Sequence, residues 1–366
     1  MKRALSLARK GEGLVEPNPM VGCVIARGKR IIGEGWHRRF GGAHAEVNAL
    51  DSCTTNPRGA TCYVTLEPCS HFGHTPPCAD ALIEAGIARV VAGVRDPNPI
   101  VNGGGFEKLR RAGIVVDIGI RGDQAAELIA PFVTRIVLKR PFVIAKWAQS
   151  LDGKLATRTG DSKWISGEAS RRRAHQLRAR VDAILVGSAT VLADDPLLTA
   201  RGVPIRRTAM RVVLDGRLRT PEKCRLLATI DAAPVLIFTS PSKAQNTKAK
   251  RLRAKGSIVE SAPLVHGSLS LSAVLKKLAT RNVTNLMVEG GPTIFSAFLG
   301  AGLVDETHVF VAPKLIGGTQ SPSVWSGTGV ARVEDAWERT VLCSGRAGAD
   351  FWYRLRLTPL SGIENS

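Results

Sequence analysis

The segment Thr65-Leu-Glu-Pro-Cys-Ser-His-Phe-Gly-His-Thr-Pro-Pro-Cys78 carries two cysteines and two histidines, Cys69, His71, His74 and Cys78, between a predicted strand and a predicted helix. Upstream, Gly42-Ala-His-Ala-Glu46 sets His44 and Glu46 two residues apart at the start of another apolar-periodic stretch. Thiolates and imidazole are donors that suit zinc, and a catalytic zinc commonly keeps three protein ligands and one open position for water. Zinc bound in this way lowers the pKa of water to about 7, and a neighbouring carboxylate can carry the released proton to a leaving amine. Glu46 fits that role. Cys78, close to the start of a predicted helix, has its thiolate favoured by the helix dipole. His74 has the spacing of a fourth ligand, but a fourth protein ligand would close the site, so it reads as a solvated loop histidine.

These residues need elements to hold them. Ala4, Leu5, Leu7 and Ala8 predict a short helix stopped by Gly11 and Gly13, and Pro17-Asn-Pro19 forces an extended turn. Residues 21–26 read as a strand, 27–29 as a turn into 30–32, and 33–42 as a glycine-rich loop before a helix at 43–50, with His44 and Glu46 in its first turn. A short β-branched strand at 61–66, a helix at 79–85 opened by Pro76-Pro77, and a strand at 89–94 follow. A helix at 106–112, a strand at 114–118 and a helix at 124–139 lead to Arg140-Pro141, the expected boundary between domains 1–140 and 141–366. Alternating strands and helices predict a layered α/β fold.

At 366 residues, two domains are expected, each able to bury its own core. The net charge of +20 favours anionic partners, and the second half is the more basic, at +14 against +6. Seven cysteines, an odd number without regular spacing, are no secreted disulfide framework and point to a reducing compartment. The first ten residues lack a signal-peptide core, and no stretch reaches the roughly 20 apolar residues that span a bilayer. The expectation is a soluble cytoplasmic protein.

Zinc deaminases carry H-x-E followed by P-C-x-x-C, with the Glu not a ligand. Here His44-Ala-Glu46 and Pro68-Cys69 are present, but the second cysteine comes nine residues after the first. With that insert, Pro17-Asn-Pro-Met-Val-Gly-Cys-Val24, Thr65-Leu-Glu-Pro-Cys-Ser-His71, Thr75-Pro-Pro-Cys78 and Asp96-Pro-Asn-Pro99 together resemble the family of bifunctional riboflavin-biosynthesis deaminase-reductases. The resemblance implies a cytidine-deaminase-like α/β/α domain in which His44, Cys69 and Cys78 hold one zinc per chain and Glu46 shuttles the proton. The substrate it implies is a diamino-ribosylamino-pyrimidinone 5′-phosphate, with Asn18 in a substrate-binding position and His71 as a neighbour of the pyrimidine or the metal. Where the family pattern leads one to expect proline before His44, this chain has Gly42-Ala43. Cys23, Cys53, Cys62, Cys224 and Cys343 read as small buried hydrophobes.

Past Pro141 the α/β pattern restarts, with strands at 142–148, 183–187, 210–214, 234–239 and 286–289 and helices at 168–180 and 294–299. The Gly290-Gly-Pro-Thr293 turn between strand and helix is a ready anion site, although it lacks the dinucleotide fingerprint. Lys146-Trp-Ala-Gln-Ser-Leu-Asp-Gly-Lys154, Ser162-Lys-Trp-Ile165, Gly187 to Pro196 and Glu289-Gly-Gly-Pro292 resemble the reductase half of the same family, which implies a dihydrofolate-reductase-like α/β domain using NADPH. On these motifs Ala148, Trp164, Thr190, Asp194, Gly291, Pro292, Thr293, Ile294, Phe295, Ser296 and Ala297 would contact NADPH. Ser162, Arg178, Leu198, Arg201 and Glu289 would hold the phosphorylated sugar. Lys146 is the candidate for protonation near that sugar, with Asp194 to orient it. Gly216 stands where the family often has serine. Arg171-Arg-Arg173 and 248–255 read as solvated basic helix faces.

The expected partners are phosphorylated pyrimidines rather than nucleic acid or membrane, and a homo-oligomer is compatible with the sequence. The rival reading, a zinc-dependent nucleic-acid base deaminase with a basic accessory domain, calls for aromatic side chains along a strand-binding groove. Only 5% of the residues are aromatic.

Overall fold

The structure is a computed structural model describing residues 1–73, 76–99, 101–325 and 329–358. The chain forms two compact units that divide between Arg140 and Pro141.

The first unit runs α1 (Lys2–Ala8), β1 (Gly22–Arg27), β2 (Arg30–Trp36), α2 (Ala45–Asp51), β3 (Thr61–Leu66), α3 (Cys78–Glu84), β4 (Arg89–Val94), α4 (Gly104–Arg111), β5 (Val115–Asp117) and α5 (Gly122–Val137). Its sheet has the order β2-β1-β3-β4-β5, antiparallel from β2 to β3 and parallel from β3 to β5. One face packs Ala45, Ala49, Ala79, Leu82, Phe106 and Leu109 of α2, α3 and α4 on Ile25, Val64 and Val90. The other packs Leu5 and Ala8 of α1 and Ala125 and Ile129 of α5 on Leu66 and Val94. With helices on both faces, β4 is buried continuously from Val90 to Val94 and β3 from Val64 to Leu66 instead of alternating.

The expected loop at 33–42 is in part strand, because β2 continues to Trp36. Glycines that read as turn residues serve here to let α2 approach. A Cβ on Gly35 would stand 2.3 Å from the Ala45 carbonyl oxygen and 2.4 Å from the Ala49 nitrogen, and one on Gly33 would stand 2.4 Å from the Ala49 oxygen. Backbone atoms of a packed helix cannot step aside cheaply, so Gly35→Ala is expected to destabilise this unit by about 1–3 kcal/mol. A denaturant melt with an unchanged midpoint would remove the packing role.

The second unit comprises β6 (Phe142–Ser150), α6 (Glu168–Arg178), β7 (Ala183–Gly187), α7 (Ser188–Asp194), β8 (Met210–Leu214), α8 (Arg225–Ala228), β9 (Val235–Thr239), α9 (Thr247–Ala254) and β10 (Ile258–Ser261). It continues with β11 (Leu264–Val265), β12 (Ser268–Leu269), α10 (Leu271–Thr280), β13 (Asn285–Val288), α11 (Pro292–Gly300), β14 (Glu306–Ala312), β15 (Thr340–Ala347) and β16 (Asp350–Arg356). The large sheet has the order β10-β9-β8-β7-β13-β6-β14-β16-β15. It is parallel from β10 to β14, and β16 and β15 are added antiparallel. Ligands of such sheets bind outside the carboxyl ends of the strands; β7 ends at Gly187 and Glu289 follows β13, while Lys146 lies mid-way along β6, one residue past the pairing of Ala145 with Val288.

Sequence reading missed β14, β15 and β16. The pattern of β14 is disguised by Glu306 and His308, which are 2% and 3% exposed. The Glu306 carboxylate accepts two bonds from the Arg354 guanidinium, both 2.8 Å, and lies 2.8 Å from His308 Nε2. Polar residues made internal by such pairing erase the apolar signature of a strand. Arg171 and Arg173 also depart from a solvated face, since their guanidinium groups lie 4.7 and 4.5 Å from the Trp164 and Trp352 ring centroids.

Candidate functional site

His44 immediately precedes α2 as its N-cap, with extended backbone, so it stands outside the first turn expected for it, while Glu46 lies within that turn. Cys69 follows β3, and Cys78 opens α3 after Pro77. The Cys78 backbone N–H donates to Cys69 Sγ at 3.3 Å. His44 Nδ1 lies 3.2 Å from Cys78 Sγ and 3.6 Å from Cys69 Sγ, and the three donor atoms fall within 4.8 Å of one another. Zinc bonds of about 2.3 Å to sulfur and 2.0–2.1 Å to nitrogen set tetrahedral neighbours roughly 3.5–3.8 Å apart. The arrangement is near that spacing. His71 borders the same cleft without joining the donor group, and His74 lies outside the described residues.

The charges at this point also call for a cation. The Cys78 thiol's hydrogen bond to Cys69 holds Cys69 below the usual thiol range, whereas that bond and burial push Cys78 up. Burial pushes the Glu46 carboxyl up to about 7, against the pull of His44. Two thiols and a carboxyl packed together resist joint ionisation, and a divalent ion relieves that resistance. The donor set therefore fits zinc.

A cleft of about 200 Å³ opens beside these groups. Asn18 lies on its wall, with Nδ2 3.2 Å from His37 Nε2, and the other His37 nitrogen is 3.1 Å from the Ala43 carbonyl oxygen. A neutral imidazole that donates to Ala43 and accepts from Asn18 satisfies both contacts and fixes which way the amide faces. Burial lowers the pKa of His37 and so favours that neutral form. Glu67, Asp96 and Asn98 line the same cleft. No role for His37 or Glu67 was drawn from the sequence. Glu67 lies within the Thr65-Leu-Glu-Pro-Cys69 segment, and Asp96 and Asn98 lie within the Asp96-Pro-Asn-Pro99 turn.

In the second unit, the Glu289 carboxylate just past β13 receives the Arg178 guanidinium in a two-pronged ion pair, 2.5 and 2.9 Å, and lies 3.7 Å from Lys146 Nζ. Burial alone would raise the Glu289 pKa, but Arg178 and Lys146 together draw it down to about 2. Burial lowers the pKa of Lys146, with Glu289 opposing. Arg178 and Arg201 both reach the Thr199 carbonyl oxygen at 3.4 Å. Leu198, which precedes Thr199, is buried and has a left-handed φ of 53°.

Asp194 pairs with Lys163 at 3.4 Å, so Glu289 rather than Asp194 is the carboxylate beside Lys146. Ser162 and Trp164 flank that same Lys163. Trp164 is 63% exposed, and its carbonyl accepts from Lys314 at 2.6 Å. Thr190 approaches the turn before α11, since a Cβ on Gly291 would stand 3.8 Å from Thr190 Oγ1 and meet little else. Pro292 opens α11, Thr293 and Ala297 are exposed, and Ile294 packs on Gly187 and Gly290. Phe295 turns into the core against Trp147, while Ser296 is half-buried and Ala148 sits on β6 in register with Phe310.

Residues 1–94 match the family described as the cytidine and deoxycytidylate deaminase zinc-binding region, and residues 141–343 match the RibD C-terminal domain. The riboflavin biosynthesis protein RibD of Aquifex aeolicus is 48% identical over 317 residues, 87% of each chain. That of Escherichia coli K12 is 43% identical over 321 residues, covering 87% of this chain and 88% of its own. Among solved structures, RibD of Acinetobacter baumannii superposes with a TM-score of 0.84 at 36% identity over 98% of both chains. A diaminohydroxyphosphoribosylaminopyrimidine deaminase / 5-amino-6-(5-phosphoribosylamino)uracil reductase from Thermotoga maritima gives 0.84 at 39% identity, covering 98% of this chain and 97% of that one.

Proposed function

This chain belongs to the RibD family of riboflavin-biosynthesis deaminase-reductases, and we propose that its first unit removes an amine from the phosphorylated pyrimidine and its second reduces the product's sugar. It is a bifunctional enzyme, a zinc-dependent deaminase in its cytidine-deaminase-like half and an oxidoreductase in its RibD reductase half. The observation that carries the assignment of residues is the gathering of His44, Cys69 and Cys78 within 4.8 Å beside the buried Glu46.

Zinc at that point supplies Lewis acidity toward water, and NADPH in the second unit supplies the hydride. The chain's own groups supply the rest. Glu46, with a pKa near 7, takes a proton from the attacking water and returns it to the leaving amine, so that water and the ring amine become a ring carbonyl and ammonia. Asn18, its amide oriented by His37, would read the pyrimidine edge.

In the second unit the half-exposed Gly291 turn at the start of α11 is open toward Thr190, and this fits a dinucleotide phosphate. Trp164, Thr190, Asp194, Gly291 and the exposed positions that follow would then border the cofactor. Arg178 and Arg201 with Ser162 and the Leu198 backbone would hold the sugar phosphate. Lys146 gives its proton to the ribosyl ring oxygen as C1′ accepts the hydride and the ring opens to a ribityl chain. Glu289 keeps Lys146 and Arg178 in place. Seven unpaired thiols suit a reducing cytoplasmic setting, and among the described residues no helix is long and apolar enough to cross a membrane.

The test supplies the diaminopyrimidine phosphate with NADPH and follows ammonia release and NADPH loss together. Both are expected, with about one zinc per chain. Chelation of the metal is expected to stop ammonia release while leaving NADPH oxidation on the deaminated intermediate. Ammonia release undiminished in metal-free protein would overturn the role of His44, Cys69 and Cys78.

A further inference from the structure

Glu67 is 3% exposed and lies directly after β3, two residues before Cys69. Its own N–H donates to the Val94 oxygen at 3.0 Å and so continues the β3–β4 ladder. Its carboxylate makes four bonds to backbone. Oε2 accepts from the N–H of Asp96 at 3.1 Å and of Gly103 at 3.0 Å, and Oε1 accepts from Gly105 at 3.0 Å and Phe106 at 3.2 Å. A carboxylate has about four acceptor sites, and here all are taken by amides that an uncharged or shorter side chain could not serve together.

These amides bracket the loop between β4 and α4. Asp96 lies two residues past the end of β4 and Gly103 ends the loop as the N-cap of α4, with φ 88°. Asp96, Asn98 and Val101 face the cleft that also holds Glu46 and Cys69. Inside the loop, Asn98 N–H donates to Asp96 Oδ1 at 2.8 Å and Val101 N–H to the Asn98 oxygen at 2.8 Å. The joint is closed from the other side too, since a Cβ on Gly105 would lie 1.9 Å from the Pro68 carbonyl oxygen. One carboxylate thus ties the strand end that leads to Cys69 to the loop that forms the facing wall.

We propose that Glu67 is a positioning residue for deamination, setting the loop bearing Asp96 and Asn98 at the distance from the metal centre at which the pyrimidine is captured. The proposal rests on the deaminase reading of this cleft. Glu67 touches neither the reacting atoms nor the three metal donors by side chain, so its loss acts on substrate capture rather than on the metal. Glu67→Gln keeps the shape but replaces two lone-pair sites with an amide that faces backbone N–H groups, so the loop must draw back.

In full-length zinc-loaded protein, Glu67→Gln is expected to raise the deamination KM at least tenfold with kcat within about threefold. Zinc content and NADPH-dependent reduction of the deaminated intermediate should remain at wild-type levels. A folded variant with unchanged KM overturns the proposal, and so does one in which zinc content falls together with kcat, because Glu67 would then support the metal centre. A second measurement needs no variant: in the wild-type protein the amides of Asp96, Gly103, Gly105 and Phe106 should be protected from hydrogen exchange, and exchange at open-loop rates would also overturn it. If the wild-type protein releases no ammonia from the diaminopyrimidine at all, the deaminase reading fails instead, and the exchange result still reports on the joint.

Discussion

Glu46→Gln is expected to keep its zinc and to lose ammonia release by about 10³-fold, in line with the 10²–10⁴ carried by a positioned general acid–base group. The change is nearly isosteric and lies in the first turn of α2, where the Ala45 and Ala49 packing that seats the helix is untouched. What disappears is a group that can exist with and without a proton near neutral pH. The metal-free carboxyl sits at about 7 because burial raises it against the pull of His44, and a carboxamide holds no such proton. Reduction of a supplied deaminated intermediate should continue, because Lys146, Arg178 and Glu289 all lie beyond Arg140. Metal analysis beside an ammonia assay checks both parts. Deamination at the wild-type rate in the zinc-loaded variant would sink the proton-carrying role.

Lys146→Ala should show the opposite pattern, with deamination intact and NADPH-dependent reduction down by about 10²–10³, the range for deleting one preorganised charge-stabilising donor. Lys146 Nζ is 3.7 Å from Glu289, but Glu289 keeps both prongs of its pair with Arg178 when the lysine is gone, so the fold should tolerate the change. Arg178 is the costlier partner to lose, since its removal would leave a buried carboxylate with a single, more distant cation. Arginine at position 146 would keep the charge without restoring a proton that can leave. Steady-state NADPH oxidation on the deaminated intermediate tests this, and an unchanged rate would show that another group protonates the sugar.

The donor group of His44, Cys69 and Cys78 beside Glu46 was legible in the sequence because a zinc site would constrain both residue type and spacing. The strands around them were legible too: β3 is short and rich in β-branched residues, and β4 is buried from Val90 to Val94. Other features were hidden because their partners are distant or are backbone. His37 meets Asn18 across 19 positions, and Glu67 meets amides 29 to 39 positions away. Neither contact leaves a periodicity. Gly33 and Gly35 misled because a glycine needed for close packing looks, in one dimension, like a glycine needed for a turn. β14 was lost because Glu306 is made internal by Arg354, whose position in sequence says nothing about that pairing.

The division between Arg140 and Pro141 bears on supply. Every donor to the metal centre and every residue lining its cleft precedes that point, and Lys146, Arg178 and Glu289 follow it. A heritable change can therefore silence one catalyst and spare the other, so selection can act on each separately. One ribosome pass nevertheless yields both in a one-to-one ratio, so a cell cannot make the first catalyst in excess of the second without breaking the chain.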